Sequence, residues 1–571
     1  MKSKFITTLS SGLSLLLLLV VIIGAMPATS LAAGKPPTAT PTPSGGPTAT
    51  PAPAATYYVD CSAATNGNGT QSSPWNSLAS PNATTFSAGS SLLFKRGTTC
   101  NGGFIAKGSG NASAPITLAD YGTGAQPIID GGTTSVAVIA LVNVSYYDVR
   151  NLTLRGGSLW GLNVDVTTAG LAVQHFHINN LDISAVNHVA AARNDSGLLS
   201  IAPNATGATI SDVIVDGVTT HDTTAGAGIT IGGGREWTCA MPCITGTGIT
   251  VRNSISHDVY GDGIVVWSHE NGLVENNVSY QSGKCVACTG STPVGIWTWN
   301  ANNVVVQNNE SYSHHTWATS GGDGGGFDMD GDTLNNTFQY NYAHDSEGFC
   351  VALYDFHSAV ATTNGIFRYN VCANNVQEVI GYSEIRIASW QSGKLNNLQV
   401  YNNTLYYNPA AIAQSTDSAA IRGNAASYVG NSFVKNNIVY STVIPLMAVI
   451  GNGGTLAFDY NLYYTPGSVG YQFKRLSTTY TSLAAWQSGS GNDLHSLSGA
   501  DPKLNGLGYH GVGKPTLANG FYTLQTTSPA LNAGTNVCAT SCNGGSMGTR
   551  DYYGITLDAT HNMGAYEGNG Q

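Results

Sequence analysis

The chain has 571 residues, a formal net charge of −10 and only 9% charged residues, against about a quarter in an average soluble domain. That balance excludes nucleic acid and an anionic membrane surface as partners. It also weighs against a strongly polyanionic substrate unless a metal or a local basic patch intervenes. With 42% hydrophobic residues and 70 glycines the composition is not a disordered one, and it favours strands and turns over helices.

Residues 1–33 read as a secretory signal. Lys2 and Lys4 supply the positive end, Leu13 to Met26 the apolar core, and Ser30-Leu31-Ala32 a small-residue cleavage site. The apolar run is short for a membrane span, so the expectation is a secreted protein with no membrane association after cleavage. Residues 34–55 form a Pro/Thr-rich linker. All ten cysteines lie beyond it, and in an oxidising compartment disulfides are the default. The natural pairs are Cys61 with Cys100, Cys239 with Cys243, Cys285 with Cys288, Cys350 with Cys372, and Cys538 with Cys542. Zinc at Cys285 and Cys288 is the alternative, but no second ligand pair stands at finger spacing.

Residues 56–135 alternate short apolar runs with turn clusters, as in Tyr57-Tyr58-Val59-Asp60 and Leu92-Leu93-Phe94-Lys95. They are expected to form an N-terminal cap and the first coils. From 136 to 465 the chain repeats. Short strands end on Asn277, Asn309, Asn341, Asn370, Asn403, Asn437 and Asn461, 24 to 34 residues apart. Asparagine tolerates a left-handed turn, and its amide can bond the next asparagine in a stack. Fixed strands with variable loops, and no helical period, predict an all-β chain folded as a right-handed parallel β-helix. A β-propeller is the runner-up, with longer repeats and hairpin turns. Residues 466–571 lose the ladder and are expected as an irregular closing segment over the last coil.

The chemistry is expected in the run Gly322-Asp323-Gly324-Gly325-Gly326-Phe327-Asp328-Met329-Asp330-Gly331-Asp332. Phe327 and Met329 alternate with Asp328 and Asp330, which turns both aspartates outward if the apolar pair points inward. Aligning the glycine that opens each strand gives two outward columns. One reads Thr230, Val265, Trp297, Asp328, Cys350, and the other Gly232, Trp267, Trp299, Asp330, Ala352. Tryptophans leading up to a carboxylate suit a solvent-facing trough for a sugar polymer. Two aspartates on one face have Cα atoms about 6.5–7 Å apart, compatible with an acid and base pair for glycoside hydrolysis.

Glu347 is the reserve partner. Trp267, Trp297, Trp299, Trp317, His344, Tyr354, Glu384 and Arg386 are the expected substrate contacts. Asp323 and Asp332 shape turns or hold a cation, and Asp262 is a turn residue. The repeated pairs His221-Asp222, His257-Asp258 and His344-Asp345 read as structural turns, with His344 open to recruitment as a proton carrier.

The opening Tyr57-Tyr58-Val59-Asp60 with Ser73-Pro74-Trp75, the segment Phe94-Lys95-Arg96-Gly97, and the ending Ser528 to Gly534 with Gly564-Ala565-Tyr566-Glu567 resemble secreted right-handed β-helix proteins of polysaccharide breakdown. That superfamily includes pectate lyases, polygalacturonases and β-helical xylosidases. The resemblance implies fold and secretion more than chemistry. The polygalacturonase Gly-His-Gly and Arg-Ile-Lys signatures are missing. Asp328 stands where a xylosidase-like nucleophile falls, but Cys350-Val351-Ala352 stands where the acid/base glutamate falls. Ser346 to Cys350 is similar to a calcium-ligand segment of pectate lyases, with Arg386 at about the distance of their base.

The expectation is therefore a monomeric, secreted glycoside hydrolase acting on a largely neutral polysaccharide and requiring no cofactor. The alternatives are a calcium-assisted lyase with Arg386 as base, and a non-catalytic glycan-binding β-helix.

Overall fold

The structure is a computed structural model. It describes residues 53–571 apart from 187–195, 225, 233–242, 285–292, 317–321, 356–359, 390–393, 416–417, 425–427, 444–445, 451–455, 468–470 and 541. The signal, nearly all of the linker, Trp317, Cys239, Cys285 and Cys288 lie outside the described residues.

Three long sheets run the length of the molecule, each of 14 strands joined in parallel order except for one antiparallel pair at the C-terminal end. We call them I, II and III after the strands Asn302–Gln307, Gly325–Met329 and Glu310–Tyr312. One coil visits them as II, I, III: Val294–Trp299, then Asn302–Gln307, then Glu310–Tyr312, before the next coil enters sheet II at Gly325. This is the right-handed parallel β-helix. Hairpin-built blades are excluded by the parallel pairing.

The corner between sheets I and III has a fixed length. Asn308-Asn309, Tyr340-Asn341, Tyr369-Asn370 and Asn402-Asn403 each fill it with two residues. The second residue of each pair builds the expected ladder. Asn277 Nδ2 donates to Asn309 Oδ1 at 3.0 Å, Asn309 to Asn341 at 3.0 Å, and Asn341 to Asn370 at 3.1 Å. Each Oδ1 also accepts a backbone N–H from the preceding coil, as from Asn277 and Asn309. The left-handed turn falls one residue earlier than expected, on Asn276, Asn308, Tyr340 and Tyr369, with φ of 50–59°. The buried ladder amide is thereby free to point along the stack.

The other two corners vary in length. Residues 313–324, 345–350 and 374–384 lead into sheet II, and 330–336 and 356–365 lead out of it. Sheet II is therefore the face bracketed by long loops, the usual place for a site on a regular scaffold.

Glycines open the strands of sheet II for a steric reason. A Cβ on Gly263 would lie 2.0 Å from Ser279 Oγ, and one on Gly295 2.1 Å from Ser311 Oγ. At the next two coils the opposing pairs are Gly326 with Ala343, then Cys350 with Cys372, which form a disulfide. Cys61–Cys100 and Cys538–Cys542 are bonded as expected.

The sheets begin at Thr56, so the segment up to residue 135 is made of first coils plus a one-turn helix, Ala79–Ala83. At the other end the helix Leu483–Ser490 closes the last coil. Its Trp486 is fully buried, stacks on Phe473 at 5.5 Å and donates to Asp493.

The remaining tail does not cover the end, as the sequence reading expected. It runs back along the outside of the coils instead. Glu567 accepts from Tyr369 and Asn402, the Gly564 N–H reaches Asn436 O, and the Gly513 N–H reaches Glu310. A second apolar cluster of Tyr342, Tyr369, Tyr522, Leu524 and Tyr566 seals this seam. No described helix is long and apolar enough to cross a membrane.

Candidate active site

Phe327 and Met329 point into the main core, and Asp328 points to the outer face of sheet II. The register confirms most of the first outward column: Thr230 beside Val265, Val265 beside Trp297, and Trp297 beside Asp328. The next neighbour is Ala352, where Cys350 was expected, and then come Arg386 and Arg422. The frame slips by two because Gly348 lies in the loop. Cys350 takes the place of Gly326 and faces Cys372. In the second column Trp267 pairs with Trp299. Asp330 follows just past the strand end, its N–H on Thr298 O, and Tyr354 pairs onward with Ala388.

This outer face carries its own apolar cluster, separate from the core: Val265, Trp267, Trp297, Trp299, Phe349, Ala352 and Tyr354. Trp267 meets Trp297 and Trp299 edge to face at 5.3 and 6.0 Å. The expected open trough is not what forms. Trp267, Trp297 and Trp299 are 4%, 6% and 2% exposed. Their indoles pack on one another, and every residue of Val294–Trp299 and Val351–Asp355 is buried. Asp328 sits within this aromatic shell at 3% exposure, and Asp323 and Asp330 beside it are half-buried.

Tyr382, which the sequence reading missed, folds back from the loop before Arg386. Its hydroxyl accepts the Asp323 N–H at 3.0 Å, and its ring stacks on Phe349 at 5.7 Å. The Arg386 guanidinium lies 4.1 Å from the Tyr382 ring centre and 5.9 Å from that of Tyr354, within cation–π range. Burial pushes the Tyr382 hydroxyl up to about 12; Asp323 and Asp328 push the same way, and Arg386 opposes them. Burial also drives Tyr354 well up, with the same charged groups acting on it. Two carboxylates, two phenols and one guanidinium thus share one electrostatic neighbourhood. Only the methyl of Ala352 separates Asp328 from Arg386 along the column. At about 4.8 Å per coil their Cα atoms are about 10 Å apart.

Four expected site residues fall elsewhere. Glu384 opens its strand at the Gly326 and Cys350 position, facing inward. It is fully buried and accepts from the Asn375 backbone and side chain at 3.0 and 2.8 Å. Burial raises its carboxyl to about 8, so it is a neutral structural acid rather than a substrate contact. His344 lies on sheet III, stacked on Tyr312 at 4.7 Å and held by Asp345 and Glu310. The turn pairs His257-Asp258 and His221-Asp222 make the same bond three and four strands earlier in the sheet, as the structural reading expected.

Glu347 is also outside the columns, its oxygens taken by His315 Nδ1 at 2.7 Å and the Thr316 N–H at 2.6 Å. Asp332 is a buried left-handed turn residue that accepts from the Val360 N–H. Asp323 is likewise left-handed, and Asp262 caps the Val294 N–H from a buried turn.

Neither a protein-family model nor a curated protein matches the chain. Among solved structures it is similar to a GH136 lacto-N-biosidase from Eubacterium ramulus, with a TM-score of 0.52 and 21% identity over 66% of this chain and 67% of that one. It is similar also to XylC in complex with xylose (TM-score 0.42, 11% identity, 89% and 98% covered) and to pectate lyase Pel9A (0.37, 13%, 90% and 96%). The likeness to the lacto-N-biosidase is one of fold, the right-handed parallel β-helix expected from the sequence.

Proposed function

We propose that the chain is a secreted carbohydrate-active enzyme that hydrolyses a glycosidic bond on the outer face of sheet II. The observation that carries this reading is the placement of Asp328. The carboxylate sits among Trp297, Tyr354 and Tyr382, bracketed by Asp323 and Asp330 on the same stretch. A hydrolase needs one carboxyl to protonate the leaving oxygen and another to activate water or attack carbon. The aromatic shell excludes water around the charges. Asp328 serves as the central carboxylate, with its partner drawn from Asp323 and Asp330, the two half-buried ones. The disulfides favour an oxidising compartment, and the similarity to a lacto-N-biosidase makes neutral oligosaccharides the first substrates to assay.

A second reading is favoured by Arg386 and Arg422, adjacent in the same column. In a chain with 22 basic residues in all, two together beside the acidic centre suit an anionic sugar and elimination with Arg386 as base.

A panel of neutral and uronate glycans separates the two. Hydrolysis releases saturated reducing ends, and elimination releases an unsaturated product seen by ultraviolet absorbance. Asp328→Asn should lower kcat by about a thousandfold with the fold intact. One of Asp323→Asn and Asp330→Asn should follow it, which names the partner. Wild-type kcat in Asp328→Asn removes this reading.

A further inference from the structure

A second constellation lies on sheet I, away from the outer face of sheet II. Asp148, His175, His177 and Asp212 come from three successive coils: Tyr147–Arg150, Ala172–Asn179 and Thr209–Asp216. The register sets Asp148 directly beside His177. His175 occupies the left-handed position of its strand, with φ of 63°, and Asp212 holds the same position one coil later, with φ of 54°. This break in the strand brings the two imidazoles to 3.8 Å between ring centres. Tyr146 stacks on His175 at 5.5 Å and limits its rotation.

With both rings neutral, the contacts to Asp212 assign the nitrogens. Both oxygens of Asp212 are engaged by histidine: His175 Nδ1 is 2.8 Å from Oδ2, and His177 Nε2 is 3.2 Å from Oδ1. A carboxylate only accepts, so each ring donates its proton there. A neutral imidazole has one N–H, and the opposite nitrogens, His175 Nε2 and His177 Nδ1, then carry lone pairs. Both face the same atom, Asp148 Oδ1, at 3.3 and 3.7 Å. Such a meeting of donor atoms needs a positive centre between them, either a proton, as in a His175 Nε2–Asp148 Oδ1 hydrogen bond, or a metal ion.

Their spacing is that of metal ligands. Bonds of about 2.0–2.1 Å in a tetrahedral site set neighbouring ligand atoms about 3.3 Å apart. The three donor atoms all lie within 4.8 Å of one another. Asp212 then takes the place of the carboxylate behind a metal-bound histidine, which holds ring and tautomer.

We propose that Asp148, His175 and His177 bind a divalent transition ion of the zinc class, oriented by Asp212 and with a fourth position open to water or a ligand atom. Two imidazoles and one carboxylate select such an ion over calcium, which takes six or more oxygens. Two carboxylates and two neutral rings balance its charge. The site stands apart from the proposed glycan-cleaving centre, and neither reading depends on the other.

The test is calorimetric titration of the full chain, free of any affinity tag, with Zn2+ and separately with Ca2+ at neutral pH. The proposal predicts one saturable equivalent of Zn2+ and none of Ca2+ at these residues. His177→Ala and Asp148→Asn abolish it, while Asp212→Asn weakens it about 10–100-fold. Co2+ in place of Zn2+ should give the intense visible absorption of a tetrahedral centre, lost in the same variants. No saturable Zn2+ binding, or one equivalent retained in variants that melt like wild type, overturns the proposal.

Discussion

Asp328 is placed by the alternation of a single strand. Phe327 and Met329 are drawn into the core, and the carboxylate between them has no other side to take. The same logic gives Trp297 its position one coil earlier. The indole is 6% exposed in the free protein, so it can form a sugar platform only if substrate opens this shell; Trp297→Phe, which keeps a ring but shortens the face, should then raise KM about tenfold with a smaller change in kcat. Tenfold corresponds to about 1.4 kcal/mol, the range of one aromatic contact. Unchanged kinetics would remove Trp297 from the site.

Arg386→Ala should cost far more on an anionic glycan than on a neutral one, and equal losses on both would leave the guanidinium a packing role over Tyr382. Asp328 and Trp297 were legible as neighbours because they sit on strands, where a period of two assigns a face, whereas Arg386 was named only through the resemblance to pectate lyases. Tyr382 was not legible, since a loop residue carries no period and its return to Asp323 is set by tertiary packing. Glu384 and His344 misled because a charged side chain near an acidic strand looks the same in sequence whether it faces the groove or closes a corner.

At the scale of the coil, the corner between sheets I and III is written into the chain by identity. The same asparagine must recur, because each amide donates to the next. Asn309→Ala leaves the N–H of Asn277 and a carbonyl unsatisfied in the interior, and should cost about 1–3 kcal/mol, read as a lowered melting temperature. The strand starts of sheet II were harder to read. A glycine, a glycine and then a cysteine stand at one structural position, so alignment on glycine went astray at Gly348.

The observed register makes its own prediction. Gly326 and Ala343 stand one coil before Cys350 and Cys372, on the same neighbours. The double variant Gly326→Cys with Ala343→Cys should therefore oxidise to an additional disulfide. Two free thiols in the folded variant would contradict the register.

At the scale of the whole molecule, buried titratable groups set how stability varies with pH. Burial lifts Glu384 and Glu567 to about 8, above the usual 4.5 or so of an unfolded glutamate. They bind protons in the native state that the unfolded chain has lost, so their stabilisation fades as pH rises from about 4.5 to 8. Burial depresses His269 to about 4 and His314 to about 3. These stay neutral in the native state and cost stability only as pH falls below about 6.5. Between pH 6.5 and 8 His221, which its hydrogen bonds to Asp182 and Asp222 raise to about 9, acts in the same direction as the glutamates, and the melting temperature should fall across that window. Glu384→Gln should reduce the fall, and an unchanged slope in that variant would contradict the assignment.

The returning tail was not legible, because its contacts with Tyr369, Asn402 and Asn436 span more than a hundred residues and follow no repeat. The β-helix itself was, because its period is carried by the chain at every coil.

The central claim is that glycan is cleaved on the outer face of sheet II around Asp328. The most direct measurement is a crystal structure of the Asp328→Asn variant with the oligosaccharide that the wild-type enzyme cleaves best. The account predicts the scissile bond beside residue 328, with sugar rings against Trp297 and Tyr354 and reaching toward Arg386. Sugar bound on sheet I, sheet III or the tail seam, with this face empty, would contradict it.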